Sequence, residues 1–340
     1  MNIILRVVAS CFVTMSLVGC LSTPKEKIVL HTLQGDGGSI LIAMDADSNE
    51  RDKVWIDLND NGVKDEGESV TRFCDTIPED GRSTEDVYVE YAVQSAEVVI
   101  HGKLTMLSCV SSSLDELDVS HAPSLRTLIC KYNQLESLDL SANTALEYLD
   151  CGSNRFKYID LNTNRKLHTL RINDCKLEAL DVSEMPDLEE LVCAGNFLTQ
   201  LDVSKNKSLR SLYCYHSSLT ELDLSENKEL TKLICGNTHI TTLDLSHNNA
   251  LVYLKCLRAP LHAIKIGPAS ALKYVFIPRN NMDKDALETL FATLPRHGGV
   301  LCVDLNPGAT DANVSIAHEN GWADISAEEL ALSDFDGIEF

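Results

Sequence analysis

A cysteine returns every 21 residues, at Cys109, Cys130 and Cys151 and again at Cys193, Cys214, Cys235 and Cys256, with Ile172 and Ile277 holding the same register. A fixed period of this length marks a solenoid, in which each turn of chain is one repeat and covers its neighbours. Two residues before each of these positions stands an aliphatic residue: Leu107, Leu128, Leu149, Leu170, Leu191, Leu212, Leu233, Leu254, then Val275. Another leucine sits three residues earlier, as at Leu125, Leu146 and Leu167. The unit reads L-x-x-L-x-C-x-x-N-x-L-x-x-L-D-L-S-x-N-x-x, and nine copies occupy 104–282.

Within Leu128-Ile129-Cys130 the pattern alternates, so the segment is a short strand with Leu and Cys inward and Ile129 outward. Stacking such strands about 4.8 Å apart gives a parallel β-sheet in a right-handed α/β-type superhelix with little helix. Asn133, Asn154, Asn196 and Asn280 follow the strand, where an inward amide can bond the backbone of adjacent turns. Ser112, Cys175, Ser217 and Thr238 replace it elsewhere. Asp118, Asp139, Asp160, Asp181, Asp202, Asp223 and Asp244 form a second column. Like charges stacked in register must face water or accept backbone N–H bonds, so this column reads as convex-side turns, not as a chain of metal ligands. The cysteine column reads as buried free thiols. In-register side chains point in parallel, Ile172 interrupts the run, and the column has neither a C-x-x-C pair nor a histidine. The pairing of Cys74, Cys175 and Cys302, outside that column, is left open by the sequence.

The flanks are different. Residues 1–20 carry one arginine, a short apolar run and small residues before a cysteine, the form of an export signal. Leu17-Val18-Gly19-Cys20 resembles the bacterial lipobox, which implies Cys20 as a lipidated residue after cleavage. Residues 21–30 read as a tether and 31–103 as a small β-rich cap over one open end of the solenoid. Residues 283–325 read as an α/β cap opening with a helix whose N-cap is Asp283, and 326–340 as a frayed acidic tail.

Charge limits the partners. With 29 basic against 51 acidic residues the net charge is −22, which argues against nucleic acid and against adhesion to anionic lipid by charge. The membrane is expected to be reached through the N-terminal lipid alone. The sharpest chemical motif is Asp57-Leu-Asn-Asp-Asn-Gly-Val-Lys-Asp-Glu-Gly-Glu68, which fits the calcium-loop spacing D-x-[DN]-x-[DN]-G-x5-E. Asp57, Asn59, Asn61, the carbonyl of Val63, Asp65 and Glu68 would supply the hard oxygens, and Gly62 the sharp turn. A strand precedes this loop in place of a helix, so it reads either as a structural calcium brace or as an ion-free acidic turn.

The 21-residue repeats with a cysteine ladder, as in Leu-Asp-Val-Ser-Lys-Asn-Lys-Ser-Leu-Arg-Ser-Leu-Tyr-Cys (201–214), resemble the internalin-J-like family of leucine-rich-repeat proteins. The flanking V-W-I-D-L-N-D-N-G-V-K-D-E-G-E, I-H-G-K-L-T-M-L-S-C, N-P-G-A and N-G-W are similar to leucine-rich-repeat lipoproteins of Bacteroidetes. That resemblance implies an exported, lipid-anchored protein of the cell surface or outer membrane, with attachment as its role. No L-P-x-T-G sorting motif occurs. Nor does the chain carry H-E-x-x-H or G-x-S-x-G, so a non-enzymatic module is expected.

Outward strand positions line the concave face, the usual binding surface of a solenoid. They include Tyr148, Tyr213, Tyr215, Ile234, Tyr253, Tyr274 and Phe276. Clustered amphipathic aromatics suit a protein or glycan ligand, although tyrosine and β-branched residues also simply favour strands. Two functions are therefore expected to compete: adhesion through this face, and a structural or assembly role in the outer envelope.

Overall fold

The computed structural model describes residues 26–35, 37–74, 87–268 and 270–332. The lipobox cysteine, Cys20, and the whole of 1–20 lie outside them. Five strands precede the repeats: β1 (Lys27–Thr32), β2 (Ser39–Asp45), β3 (Trp55–Asp57), β4 (Val89–Ala92) and β5 (Glu97–His101). The first of these corrects the expected tether. Ile28, Leu30 and Thr32 alternate inward and are buried, so the chain is already a strand at Lys27.

The repeats contribute β6 (Met106–Ser108), β7 (Leu114–Asp118), β8 (Thr127–Ile129), β9 (Tyr148–Asp150), β10 (Thr169–Arg171) and β11 (Glu190–Val192). They continue as β12 (Ser211–Tyr213), β13 (Lys232–Ile234), β14 (Thr242–Leu245), β15 (Tyr253–Lys255), β16 (Ala263–Ile266) and β17 (Tyr274–Phe276). Then come α1 (Lys284–Thr293), β18 (Gly299–Cys302), α2 (Ser315–Glu319), β19 (Trp322–Asp324) and α3 (Ala327–Leu332). One sheet of 13 strands runs the length of the molecule in the order β19-β18-β17-β15-β13-β12-β11-β10-β9-β8-β6-β2-β4. From β6 to β19 the pairs are parallel and in register, so Leu128, Leu149, Leu170 and Leu191 stack directly. At the other end β2 pairs antiparallel with β6, and a second sheet, β3-β5-β1-β7, ties the cap to the first repeat.

The inner columns behave as their residue types require. The seven ladder cysteines are buried and free, as are the other buried thiols, Cys175 and Cys302. Burial pushes the Cys109 and Cys193 thiols up to about 12, far from the reactive range. The asparagine ladder is present. Asn133 donates from Nδ2 to the carbonyls of Cys109 and Cys130 at 2.9 and 3.0 Å, and its Oδ1 accepts from the Leu114 N–H at 2.9 Å. Ser217 and Thr238 each donate a single bond to the strand carbonyl three residues back, Cys214 and Cys235.

A second ladder lies on the opposite side of the coil. Asn143, Asn164, Asn206, Asn227 and Asn248 are almost fully buried, and each Nδ2 donates to two carbonyls of the preceding turn. These are the asparagines of the L-S-x-N segment. Between strand and first ladder every repeat passes through a left-handed residue: Ser111, Tyr132, Ser153, Asp174, Gly195, His216, Asn237, Arg258 and Arg279. Glycine occupies that column once. At Gly195 a Cβ would meet the Asp174 carboxylate, which would have to shift to admit a side chain there.

The convex aspartates form turns. Asp118, Asp139, Asp160, Asp181, Asp202, Asp223 and Asp244 each accept from the backbone N–H two residues on, at 2.8–3.0 Å. Hydrogen bonds from the serine at that position, through hydroxyl and backbone, hold Asp139, Asp181, Asp202 and Asp223 below the usual carboxylate range and Asp244 at about 2. Because the folded value is the lower one, these groups stabilise the fold above about pH 3.8, and that contribution disappears as pH falls toward 2. A thermal melt recorded against pH is expected to collapse across this window. Asp223→Asn keeps the acceptor and cannot titrate, so its decline should be shallower; an unchanged decline would remove the column from the acid transition.

Candidate functional site

The concave face divides into two halves. Toward the C-terminal end, Tyr253 and Phe276 are 0 % exposed and Ile234 is 8 % exposed. They pack with Cys302 and with Leu330 of α3, while Tyr213, Tyr215, Leu257, Tyr274 and Ile325 surround them half-buried. The Tyr253 ring meets Phe276 edge-on at 5.6 Å and Tyr274 at 6.0 Å. Lys232, also buried, places its ammonium 5.6 Å from the Tyr213 ring centre and 5.2 Å from that of Tyr253.

The structure therefore corrects the reading of Ile234, Tyr253 and Phe276 as an open binding face. The chain's own α3 lies on them. It also corrects the expected acidic tail, since 327–332 is helical. The signal for α3 was present in Ser326-Ala-Glu-Glu329. The Ser326 hydroxyl accepts from the Glu329 N–H at 3.1 Å and the Glu329 carboxylate accepts from the Ser326 N–H at 2.7 Å, a capping box. A further bond, from the Ala327 N–H to Asp304 Oδ2 at 2.8 Å, pins the start of the helix to the last turns of the solenoid.

Toward the N-terminal end the face is open and polar. A groove of about 640 Å³ runs across the strands and is lined by Arg126, Glu147, Tyr148, His168, Arg171, Glu189, Glu190 and Arg210 together with Asp45 and Asp47 of the cap. Of the aromatic residues anticipated as a partner face, Tyr148 lines this groove. Arg171 donates to Glu190 at 2.6 Å and lies 5.6 Å from the Tyr148 ring centre. Arg210 and Glu189 approach to 3.9 Å. On the same face the buried Asp150 pairs with Lys131 at 3.1 Å. The column Arg126, Glu147, His168, Glu189 and Arg210 escaped the sequence reading, although it recurs with the repeat two residues before each inner leucine.

The acidic loop of the cap is folded around its carboxylates. Asp57, fully buried, accepts from the N–H groups of Asn61 and Gly62 at 3.1 and 2.7 Å. Glu68, 3 % exposed, accepts from Leu58 at 2.9 Å and from Asp65 at 2.8 Å. The side-chain amides of Asn59 and Asn61 donate to Asp65 Oδ2 at 3.0 and 2.6 Å and hold its pKa below the ordinary value. Gly62 adopts φ +74°, as the turn requires, and Val63 is exposed at the tip. Thus Asp57, Asn59, Asn61, Asp65 and Glu68 all belong to one closed loop. Among the described residues no three His, Cys, Asp or Glu side chains stand close enough to hold a metal by themselves, so a cation here would need the amide and carbonyl oxygens as well.

Repeat and fold are those of a leucine-rich-repeat solenoid, and a family profile described as Leucine Rich repeat matches residues 236–251. The functional domain of InlJ from Listeria monocytogenes, whose description includes a cysteine ladder, is 31 % identical, with a TM-score of 0.58 over 67 % of this chain and 50 % of that one. This chain thus spans half the length of that structure. The internalin InlF from Listeria monocytogenes is 16 % identical, with a TM-score of 0.35 over 66 % of this chain and 86 % of that one. A leucine-rich-repeat protein of Leptospira interrogans is 17 % identical, with a TM-score of 0.40 over 60 % of this chain and 68 % of that one. No curated protein sequence matches.

Proposed function

We propose that this protein is a non-enzymatic, surface-displayed leucine-rich-repeat module that binds another macromolecule through the open half of its concave face. The observation that carries this reading is the polar groove. Cations and anions recur one per turn along it, with Tyr148 and Arg171 stacked between them. A strip of both signs suits the complementary charges of a folded protein surface better than it suits a uniformly charged polymer. A glycan would use the same tyrosine and arginine, and an assembly role in the envelope would use the same face against a neighbouring subunit.

Attachment to the membrane is proposed to run through Cys20. Among the described residues no helix is long and apolar enough to cross a membrane, and the L-V-G-C segment supplies the lipobox pattern. In cells, Cys20→Ala is expected to move the protein from the membrane fraction to the soluble one; retention in the membrane would refute lipid anchoring at this residue. Calcium is proposed to brace the cap through Asp57, Asn59, Asn61, the Val63 carbonyl, Asp65 and Glu68, because a buried carboxylate at each end of the loop is offset by a bound dication. Calcium should raise the melting temperature by several degrees and chelator should reverse it, with Glu68→Gln insensitive to both. Equal melting curves with and without calcium would leave the loop an ion-free turn.

The binding proposal is tested by screening the chain from residue 21 onward against extracellular-matrix proteins and glycans. Reversal at Arg126→Glu with Arg210→Glu is expected to weaken a hit at least tenfold, more at low salt than at high. Binding unaffected by the reversal would move the site off this groove. A blank from folded protein would favour envelope assembly.

A further inference from the structure

The charges that cross the polar groove are ordered. We infer that the groove takes an α-helix of a partner protein, laid along the solenoid axis, with two basic residues seven positions apart and an acidic residue three or four positions outside each. This rests on the reading of the groove as a macromolecular site and deepens it by naming the kind of partner.

Register comes first. Arg126, Glu147, His168, Glu189 and Arg210 stand on successive turns, and each is bonded to the one before it. The Glu147 N–H donates to the Arg126 carbonyl at 2.8 Å, that of His168 to Glu147 at 3.0 Å, that of Glu189 to His168 at 2.9 Å and that of Arg210 to Glu189 at 2.8 Å. All five line the groove; Glu147 is half-buried and the other four are exposed. The order is cation, anion, imidazole, anion, cation, a mirror pattern about His168. Thr105 and Thr231, on the turns beyond, line the groove at its two ends and bound the pattern. Glu189 and Arg210 approach to 3.9 Å, whereas the side chains of Arg126, Glu147 and His168 make no hydrogen bond or ion pair with any described residue. A partly desolvated carboxylate such as Glu147 gains from a cation supplied from outside.

Spacing comes second. Parallel strands step about 4.8 Å, which sets the two glutamates about 10 Å apart and the two arginines about 19 Å apart along the axis. An α-helix rises about 1.5 Å per residue, so bases seven positions apart lie about 10.5 Å apart, and acids 13 to 15 positions apart lie about 20–22 Å apart. Residues three, four and seven apart share one helix face, with a drift of only about 20° per heptad. An extended strand repeats each face about every 6.8 Å, so its same-face positions miss the glutamate spacing by about 3 Å or more. From Thr105 to Thr231 the groove spans about 29 Å, the length of a helix of about 19 residues. The order also sets what is refused: a helix with acids inside and bases outside meets like charge at all four places.

The experiment titrates the protein with a labelled, alanine-based helix of about 20 residues carrying Glu-x3-Lys-x6-Lys-x3-Glu, followed by fluorescence anisotropy at low salt. A second helix of the same composition carries Lys-x3-Glu-x6-Glu-x3-Lys. A third peptide keeps the first charge order but has two prolines in its central segment. We expect the first to bind at least tenfold more tightly than either of the others, with the margin shrinking at high salt. Glu147→Gln with Glu189→Gln should abolish the margin over the second helix. The fourfold reversal Arg126→Glu, Glu147→Lys, Glu189→Lys, Arg210→Glu should invert it, with circular dichroism confirming that both variants fold. Equal binding of the first two helices, or none, would overturn the inference; the groove reading survives that result if the arginine reversal still weakens a ligand found by screening. A proline-containing peptide as tight as the first would make the partner extended and overturn the helix. Self-association of the protein at low salt, abolished by the fourfold reversal, would assign the column to a second copy and overturn the inference as well.

Discussion

The fold depends on carbonyl groups that neither sheet nor helix can satisfy. Each turn of the coil reverses direction sharply on both sides of a three-residue strand, and at each bend backbone oxygens are left facing the interior. An unpaired buried carbonyl costs about 1–3 kcal/mol. The first asparagine column meets that need, one amide per bend donating to two carbonyls, and the second adds a bond from the next turn to carbonyls that also close a local backbone turn. Losing Asn227 would remove the amide that ties the carbonyls of Val203 and Asn206 to the next turn, leaving them the local turn bonds from the N–H groups of Asn206 and Leu209. The ladder also fixes register. Within the repeats each bridging amide of the first ladder reaches back 24 residues, so ladder and period keep step, and Asn306 makes the same pair of bonds across the longer last turn, reaching back 29.

Most of the architecture could be read from this period. The inner leucines, the free cysteines and the Asx turns of the aspartate column all follow from local pattern, because in a stack the environment of one residue is its own copy a turn away. The second asparagine column was visible in the repeat, but its burial was not, since L-D-L-S-x-N looks like a polar surface turn until the coil closes. β1 was hidden differently: Lys27-Ile-Val-Leu-His-Thr alternates correctly, but its partners β5 and β7 come from residues 97–101 and 114–118, far along the chain. The concave aromatics were misread for the same reason. Their outward direction was correct, and the helix that lies on them is six residues long, too short to announce itself by periodicity.

Stability and recognition are written in separate columns. At the outward position between the inner Leu and the Cys the sequence runs Ser108, Ile129, Asp150, Arg171, Val192, Tyr213, Ile234, Lys255, Phe276, while the inner Leu and Cys themselves hardly vary. The outward residues can change identity without touching the core, so they carry the information that distinguishes this solenoid from another of the same repeat. The acidic loop at Asp57 is separate again: it belongs to the cap and follows β3, the edge strand of the second sheet.

The division of the concave face into polar and aromatic halves then has a physical reason. A contiguous patch of tyrosine, phenylalanine and isoleucine open to water would promote association, and soluble chains rarely leave one uncovered. Here Leu330 and Ile325 close over it, and the buried cluster that results is separate from the main core. The polar half needs no such cover, because Arg171–Glu190 and Lys131–Asp150 satisfy one another across neighbouring strands while the arginines at 126 and 210 reach solvent. What the protein presents to its surroundings is thus decided less by the repeats than by the short helix after the last of them. Any ligand of the aromatic half must compete with that helix, whereas a ligand of the groove meets a surface already formed.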